Sequence, residues 1–286
     1  MARLLYITDF LEKVFPLSLA EDWDNVGLLL GERGRVVRKV MTCLTVSQGT
    51  VAEAIDLGVD LILSHHPFPF RAEKKWTSAT TEGRILMALM KNGIAVYSPH
   101  TAHDSAATGI NEQLAQGLGL AERGPLYPAA GHSTSAMYEG MTAASPAFEV
   151  QVGSAYGTGR VGHLKEPVSL HRFINQCADL LHISHVLYAG NLESLVRKVA
   201  LGCGAADDFL TMAVAEHADV FLTGEARFHN YVAAENESIA LVAPGHYATE
   251  RFAMETLAKR LAHVFPGVTV TAARTETDPV RLWSPS

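Results

Sequence analysis

The chain has 286 residues, and its net charge is -7. Hydrophobic residues make up 48% and charged residues 19% of it, which indicates a substantial core and excludes a disordered chain. No run rich in Lys and Arg occurs, so we expect no nucleic-acid partner. The first residues lack a signal-like apolar core, and no apolar run is long enough to span a bilayer. We therefore expect a cytoplasmic protein with no membrane partner.

Short apolar runs alternate with helical patterns along the first part of the chain. Thr8 is the predicted cap of a first helix over residues 9–15. The pattern then predicts strands over 40–46, 59–63 and 94–97, and helices over 50–57 and 82–91. Strands that alternate with helices in this way favour an α/β fold with largely parallel pairing.

A segment rich in Gly, Pro and Ala over residues 119–131 is the candidate boundary between two domains. We expect an N-terminal α/β domain over 1–125 and a second α/β domain over 126–286, each with a mixed, largely parallel sheet. The predicted strands of the second domain are 148–152, 160–164, 198–201, 220–222, 239–242 and 268–272. Its predicted helices are 169–181, 207–217 and 250–264.

Three predicted strands are each followed by side chains that can bind a metal ion. The pairs are His65 and His66, His100 and Asp104, and His246 and Glu250. In open α/β sheets ligands bind beyond the carboxyl ends of the strands, so these three segments are expected to meet at one site. The C-terminal pair is spaced i, i+4 and shares a helix face if a helix begins near His246. The second domain would thus return to complete the site.

The donor set indicates transition-metal chemistry. Neutral imidazoles and carboxylates suit Zn, Mn, Fe, Co or Ni, and the sequence does not choose among them. Four histidines and two carboxylates are too many for one catalytic ion, but they suit two ions about 3.5–4 Å apart. Taken singly, each segment is better explained by an ordinary loop or helix start. Three such segments after three buried strands favour a dinuclear metal site.

Two further groups are candidates with open alternatives. Trp23, Asp24 and Asn25 would line the mouth of the site or orient the ligand loops, and packing and turn formation are equally consistent with them. Glu225 and His229 follow the strand over 220–222. They would carry protons or contact the metal ligands, and helix-capping and surface roles are equally consistent.

The sequence resembles a known family, the GTP cyclohydrolase I type 2 homologues, which are also called NIF-three-like proteins. The resemblance extends through nearly the whole chain. The motifs that carry it are Glu21–Leu28, Ser64–Pro67, His100–Asp104, Thr223–Glu225 leading to His229, and Gly245–Glu250.

The resemblance implies that His65, His66, His100, Asp104, His246 and Glu250 bind two metal ions. It also implies a homohexameric toroid, built as a trimer of dimers, with the metal sites facing its cavity. Relatives often have an Asp after the strand over 40–44, where this chain has Thr45-Val46-Ser47. That difference leaves the ligand set intact but alters a turn that would contact a substrate.

Three functions are compatible with these observations. The first is a metal-dependent hydrolase that, as the resemblance implies, would open the ring of a purine nucleotide such as GTP and release formate. The second is a metal-dependent phosphoesterase acting on nucleotides or phosphorylated metabolites. The third is a non-catalytic protein that binds or delivers metal, or a ring-shaped partner protein. The substrate cannot be chosen from fold or family resemblance alone.

Overall fold

A computed structural model of the chain describes residues 1–129 and 156–283. Within these ranges the chain forms nine α-helices. They are α1 (Leu4–Val14), α2 (Gln48–Leu57), α3 (Thr81–Lys91), α4 (His100–Ser105), α5 (Ile110–Gly117), α6 (Leu170–Leu181), α7 (Leu210–Ala215), α8 (Phe228–Asn236) and α9 (His246–Val264). The predicted strand over 148–152 lies outside the described residues.

The first sheet has five strands in the spatial order β15-β4-β5-β6-β2. They are β2 (Gly27–Leu30), β4 (Lys39–Cys43), β5 (Leu61–Ser64), β6 (Ala95–Ser98) and β15 (Thr269–Ala272). Pairing is parallel throughout except at the edge, where β2 runs antiparallel to β6. The central strands are buried on both faces, because helices cover the sheet on either side.

The second sheet has six strands in the spatial order β11-β14-β13-β12-β10-β7. They are β7 (Ala121–Gly124), β10 (Arg160–Ser169), β11 (Leu187–Ala189), β12 (Leu195–Gly202), β13 (Val220–Thr223) and β14 (Ala240–Ala243). The three central strands pair in parallel and the outer ones antiparallel. Four short strands complete the described structure: β1 (Ala2–Arg3), β3 (Val36–Val37), β8 (Tyr127–Pro128) and β9 (Gly157–Thr158). The predicted fold class, α/β with mixed sheets, is confirmed; the first sheet is largely parallel, whereas two of the five strand pairings in the second sheet are parallel.

The chain passes from the first sheet to the second between β6 and β7, and it returns to the first sheet between β14 and β15. Strand β7 precedes residue 125 but pairs with β10 in the second sheet, and β15 returns to pair with β4 in the first. The division into domains over 1–125 and 126–286 stays a prediction. Wherever the domain boundary lies, the last strand, β15, belongs to the first sheet.

The start of the first helix differs from the prediction. Helix α1 begins at Leu4 rather than at residue 9, and Thr8 lies inside it. Leu4, Leu11 and Val14 form its buried face, so the apolar spacing extends one turn further towards the N-terminus than the cap suggested. Packing against the core therefore outweighs the capping preference of Thr8.

Helix α2 follows the sequence signals closely. Ser47 accepts a hydrogen bond from the backbone N–H of Thr50, whose hydroxyl in turn accepts one from the N–H of Ser47. Gly58 ends the helix in the left-handed conformation, at φ 65°. In the described part of the chain, no helix combines the length and apolarity that crossing a bilayer requires.

Candidate metal centre

The three ligand segments lie at the carboxyl ends of three strands, as the sequence predicted. Strand β5 leads directly into His65 and His66, and β6 leads through Pro99 into α4, which begins at His100. Strand β14, in the other sheet, leads into α9, which begins at His246. The cluster therefore lies where the two sheets meet.

The side chains form two groups that share His66. In one group, Oε2 of Glu250 lies 3.0 Å from Nε2 of His246 and 3.2 Å from Nε2 of His66, and the two imidazole nitrogens are 3.3 Å apart. The other group brings a nitrogen of His65, of His66 and of His100 within 4.8 Å of one another. Either group is compact enough for its atoms to share a cation.

Two carboxylates extend the cluster around His65. Its Nε2 lies 3.7 Å from Oδ1 of Asp104 and 3.7 Å from Oε1 of Glu250. The two oxygens of Glu250 thus face different histidines, one towards His65 and the other towards His66 and His246. A carboxylate in this position can contact both groups at once.

Several of these polar atoms are buried and have no hydrogen-bond partner in the described structure. They include both ring nitrogens of His65 and Oδ1 of Asp104. His65 is 1% exposed and Glu250 is 4% exposed, so water does not satisfy them freely. Unpaired buried polar atoms are costly. Imidazole nitrogens and carboxylate oxygens that converge without partners fit a divalent transition-metal ion, which would satisfy them.

The protonation states of the cluster also suit metal binding. Burial lowers the pKa of His65 to about 4, which keeps its imidazole neutral and able to bind a cation. Burial alone would raise the pKa of Glu250, but His65 and the neighbouring imidazoles hold it well below its ordinary value. Burial likewise opposes the charged form of His246, yet contact with Glu250 and Glu225 raises its pKa to about 9.

The pKa of Asp104 shifts upward, in the opposite direction to that of Glu250. Burial first, and then the negative charges of Glu250 and Asp24, raise its pKa well above the ordinary value. In the absence of a cation the carboxylates of this cluster repel one another. A bound divalent ion would remove that repulsion, which is a second way in which the residues fit a metal.

Asp24 orients His100. Nδ1 of His100 donates to Oδ1 of Asp24 at 2.8 Å, while the backbone N–H and the hydroxyl of Thr101 donate to Oδ2. His100 has φ 30°, a conformation that costs a non-glycine residue about 1–3 kcal/mol. The hydrogen bonds of Asp24 hold the backbone at this strained position and leave Nε2 of His100 free to bind a ligand.

The other two candidates at the mouth have different surroundings. The side chain of Asn25 donates to the carbonyl of Pro69 at 2.9 Å and so supports the loop that follows His66. Trp23 remains 64% exposed, and the centre of its ring lies 6.0 Å from that of His100. One of the three predicted mouth residues thus contacts a candidate ligand by a hydrogen bond, one supports a loop, and one lies beside the cluster.

Glu225 and His229 differ in their distance from the cluster. Oε1 of Glu225 lies 3.2 Å from Nδ1 of His246, so Glu225 can orient that imidazole and direct its Nε2 towards Glu250. His229 is exposed, and within residues 1–129 and 156–283 its recorded ring contact is with Phe228. The structure therefore brings Glu225 to the cluster but not His229, whose part in proton transfer stays a prediction.

Sequence reasoning missed Thr45 as a neighbour of the cluster. Its hydroxyl oxygen lies 2.8 Å from Nδ1 of His66, the nitrogen opposite the one that faces Glu250. Glu276 fixes the backbone around Thr45, since its two oxygens accept hydrogen bonds from the N–H groups of Leu44 and Thr45 at 2.8 and 2.7 Å. The unusual Thr45-Val46-Ser47 turn was the available signal, but it did not indicate a contact with His66.

A glycine turn after β12 packs directly against the carboxylate of Glu250. A Cβ atom on Gly204 would lie 2.0 Å from Oε1 of Glu250 and 3.3 Å from Nε2 of His246. Gly204 also has φ 64°, which favours glycine. The turn therefore needs glycine both for its conformation and for the space that Glu250 occupies.

The relationship to known proteins agrees with this arrangement. The family profile described as Duf34/NIF3 (NGG1p interacting factor 3) matches residues 2–279. The chain belongs to this family. Among relatives in the NIF3 group, a protein named GTP cyclohydrolase 1 type 2 homolog from Clostridium perfringens is 31% identical over 248 residues, which cover 87% of each chain. A second protein of this name, from Streptomyces coelicolor, is 32% identical, and the match covers 87% of this chain and 82% of that protein.

A solved NIF3 structure has the same architecture. The Bacillus cereus protein described as related to NIF3 superposes with a TM-score of 0.86 at 25% identity, and the match covers 99% of both chains. The described fold is therefore that of the NIF3 family.

Proposed function

We propose that this protein is a metal-dependent hydrolase with two divalent transition-metal ions. The ions would be held by His65, His66, His100, Asp104, His246 and Glu250. The observation that supports this most directly is the position of Glu250, whose two oxygens face two different groups of imidazoles. A carboxylate that faces two groups of nitrogen ligands suits a site for two ions.

The residues around the ions would have distinct tasks. Divalent ions at such a site supply a water-derived nucleophile near neutral pH and polarise the bond that is cleaved. Asp24, Thr45 and Glu225 each contact the far nitrogen of one imidazole, so they would fix the direction of the ligand nitrogens. Glu225 is also the most exposed carboxylate in contact with the cluster, which makes it our candidate for exchanging protons with solvent.

The names of the relatives suggest the first substrate to assay. Those from Clostridium perfringens and Streptomyces coelicolor carry the name GTP cyclohydrolase 1 type 2 homolog, so we infer ring opening of a purine compound with release of formate. Following the same resemblance, we propose that the chain assembles into a hexameric ring in the cytoplasm.

The decisive experiment begins with the number of metal ions per chain. Elemental analysis of gently purified protein should give close to two ions, and Asp104→Ala and Glu250→Ala should each lower that number while circular dichroism shows a folded protein. Glu235→Ala, in the exposed part of α8, is the matched control and should leave the metal content unchanged. A wild type that takes up no Zn, Mn, Fe, Co or Ni would contradict the proposal.

The reaction is then tested with the loaded protein. Formate release from GTP or guanosine, lost in Glu250→Ala, would support ring opening. Phosphate release from a nucleotide panel without formate would replace ring opening by phosphoester hydrolysis. Neither product, together with rapid transfer of metal to an apo-acceptor, would exclude the hydrolase and leave metal delivery as the function.

A further inference from the structure

Two exposed aromatic rings lie beside the candidate metal centre. Trp23 is 64% exposed and Phe70 is 52% exposed. Their ring centres are 6.3 Å apart, and each lies 6.0 Å from the ring of His100. Exposed aromatic side chains grouped at a site are unfavourable in water and are typical of binding surfaces. Their position next to a candidate ligand indicates that a bound molecule covers them.

Phe70 also belongs to a cleft that adjoins the cluster. This cleft has a volume of about 740 Å³, and its lining includes His66, His246, Phe68 and Ile85. A cleft of this size accommodates a small organic molecule. Its walls therefore offer both candidate metal ligands and apolar and aromatic surface.

The charge of the surroundings restricts the molecule further. No Lys or Arg is among the residues that line the cleft, and its one lining carboxylate is Glu82. The mouth adds Glu21 and Asp22, both exposed in the loop that carries Trp23. The nearest basic side chains in sequence, at residues 71, 74 and 75, are exposed and are not part of the lining. Away from the metal centre, a polyphosphate would find no Lys or Arg side chain in the lining and would be repelled by the carboxylates.

We propose that Trp23 and Phe70 stack on a planar heterocyclic ring of an uncharged or weakly charged substrate and hold it against the metal centre. The recognised part is the ring of a free base or nucleoside, and a triphosphate contributes nothing to binding. The proposal rests on the proposed hydrolase for its turnover, but ring binding is measurable without turnover. Stacking on an aromatic side chain tolerates different rings, because each has a π-face.

The test is equilibrium binding by calorimetry to the metal-loaded protein. The probes are guanosine, adenosine, cytidine and nicotinamide as planar rings, GTP as a charged analogue, and ribose 5-phosphate as a control without a ring. We expect at least one planar ring to bind, GTP to bind no tighter than guanosine, and ribose 5-phosphate not to compete. Trp23→Leu and Phe70→Leu should each weaken ring binding by about tenfold, with unchanged metal content.

Trp283→Leu is the matched control, since Trp283 is 87% exposed and lies outside the cleft lining. It should bind rings as the wild type does. The proposal is overturned if no ring in the panel binds, or if GTP binds at least tenfold tighter than guanosine. It is also overturned if Trp23→Leu changes the oligomeric state and leaves ring affinity unchanged, because the aromatic pair is then an interface. Ring binding without any product would reject the hydrolase alone and leave this inference standing.

Discussion

Asp24 and His100 are 76 residues apart in the chain, yet Nδ1 of His100 lies 2.8 Å from a carboxylate oxygen of Asp24. The same carboxylate holds Thr101, so it controls both the ring and the strained backbone of His100. Burial opposes its charge, but the hydrogen bonds from His100 and Thr101 lower the pKa of Asp24 below its ordinary value. The acceptor is therefore ionised at neutral pH.

Replacing this carboxylate should weaken metal binding. In Asp24→Asn the orientation of His100 is lost, and we expect the affinity for Zn or Co to fall about 10–100-fold. Competition with a chromophoric chelator measures it. Asp22→Asn, an exposed position in the same loop, should leave the affinity as it is. An equal loss in both variants would mean that net charge rather than orientation is responsible.

The Thr45 hydroxyl should support His66 in the same way. Thr45→Val keeps the shape of the side chain but removes the oxygen that lies 2.8 Å from Nδ1 of His66. We expect about a tenfold loss of metal affinity, because an imidazole ligand without a partner on its second nitrogen is poorly oriented. Thr45→Ser retains the hydroxyl and should retain the affinity. If the valine variant binds metal normally, Thr45 has no such role.

Glu250 should control the protonation of His246 in the metal-free protein. NMR titration of the wild type should give His246 a pKa of about 9. In Glu250→Gln the desolvation of the imidazole is no longer offset by a nearby charge, and the pKa should fall towards or below the ordinary 6.5. Glu225→Gln should cause a smaller fall, since that side chain is 61% exposed. A larger fall of the His246 pKa in Glu225→Gln than in Glu250→Gln would contradict this prediction.

The metal-free protein should be most stable near pH 6.5. The folded-state pKa of His65 is about 4, below the ordinary 6.5, so the unfolded chain binds more protons between these values and stability falls as the pH drops. His246 has the opposite sign. Its folded-state pKa is about 9, so its contribution is complete below 6.5 and is lost as the pH rises through 9.

Urea unfolding of chelator-treated protein across this pH range measures the loss of stability on the acid side and on the alkaline side. His246→Asn should flatten the loss of stability on the alkaline side. It should leave in place the loss between pH 6.5 and about 4.5, where the lowered pKa values of His65 and His103 act against the raised pKa of Asp104. A wild-type curve that is level between pH 6.5 and 9 would contradict the assignment to His246.

A comparison of alanine substitutions at Gly204 and Gly119 distinguishes the effect of backbone strain from that of a contact with the site. Both have positive φ, 64° and 72°, but an added Cβ collides with Glu250 at Gly204 and meets nothing within 4 Å at Gly119. Gly204→Ala and Gly119→Ala should each lose about 1–2 kcal/mol of stability from the backbone. Only Gly204→Ala should also lose metal. Equal metal content in the two variants would show that the Glu250 side chain moves away from the added Cβ atom and that metal binding is retained.

The elements that hold the ligands could be predicted because their signals are local. The buried run before His65 has the length and composition of a strand, and the i, i+4 spacing of His246 and Glu250 is realised by a helix that begins at His246. The main error, the start of α1, arose where a capping residue and an apolar face gave different answers and packing decided.

The contacts that orient the ligands could not be predicted. Asp24 meets His100 across 76 residues, and Glu276 meets Thr45 across 231. No periodicity links such positions, since their proximity depends on how two sheets pack. The alternation around His103 predicts that it points away from the proposed ligands. It lies fully buried with its ring 4.2 Å from that of Phe15, a partner that the sequence did not indicate.

The return of the chain to its first sheet has a consequence for biosynthesis. Four of the six proposed ligands precede residue 105, while His246 and Glu250 leave the ribosome roughly 7–30 s later at typical elongation rates. Glu276, which fixes the backbone at Thr45, is translated later still. A nascent chain that has folded its first strands therefore presents His65, His66 and Asp104 with no closing partner. The complete set of six proposed ligands is therefore assembled only after the C-terminal part of the chain has been synthesised.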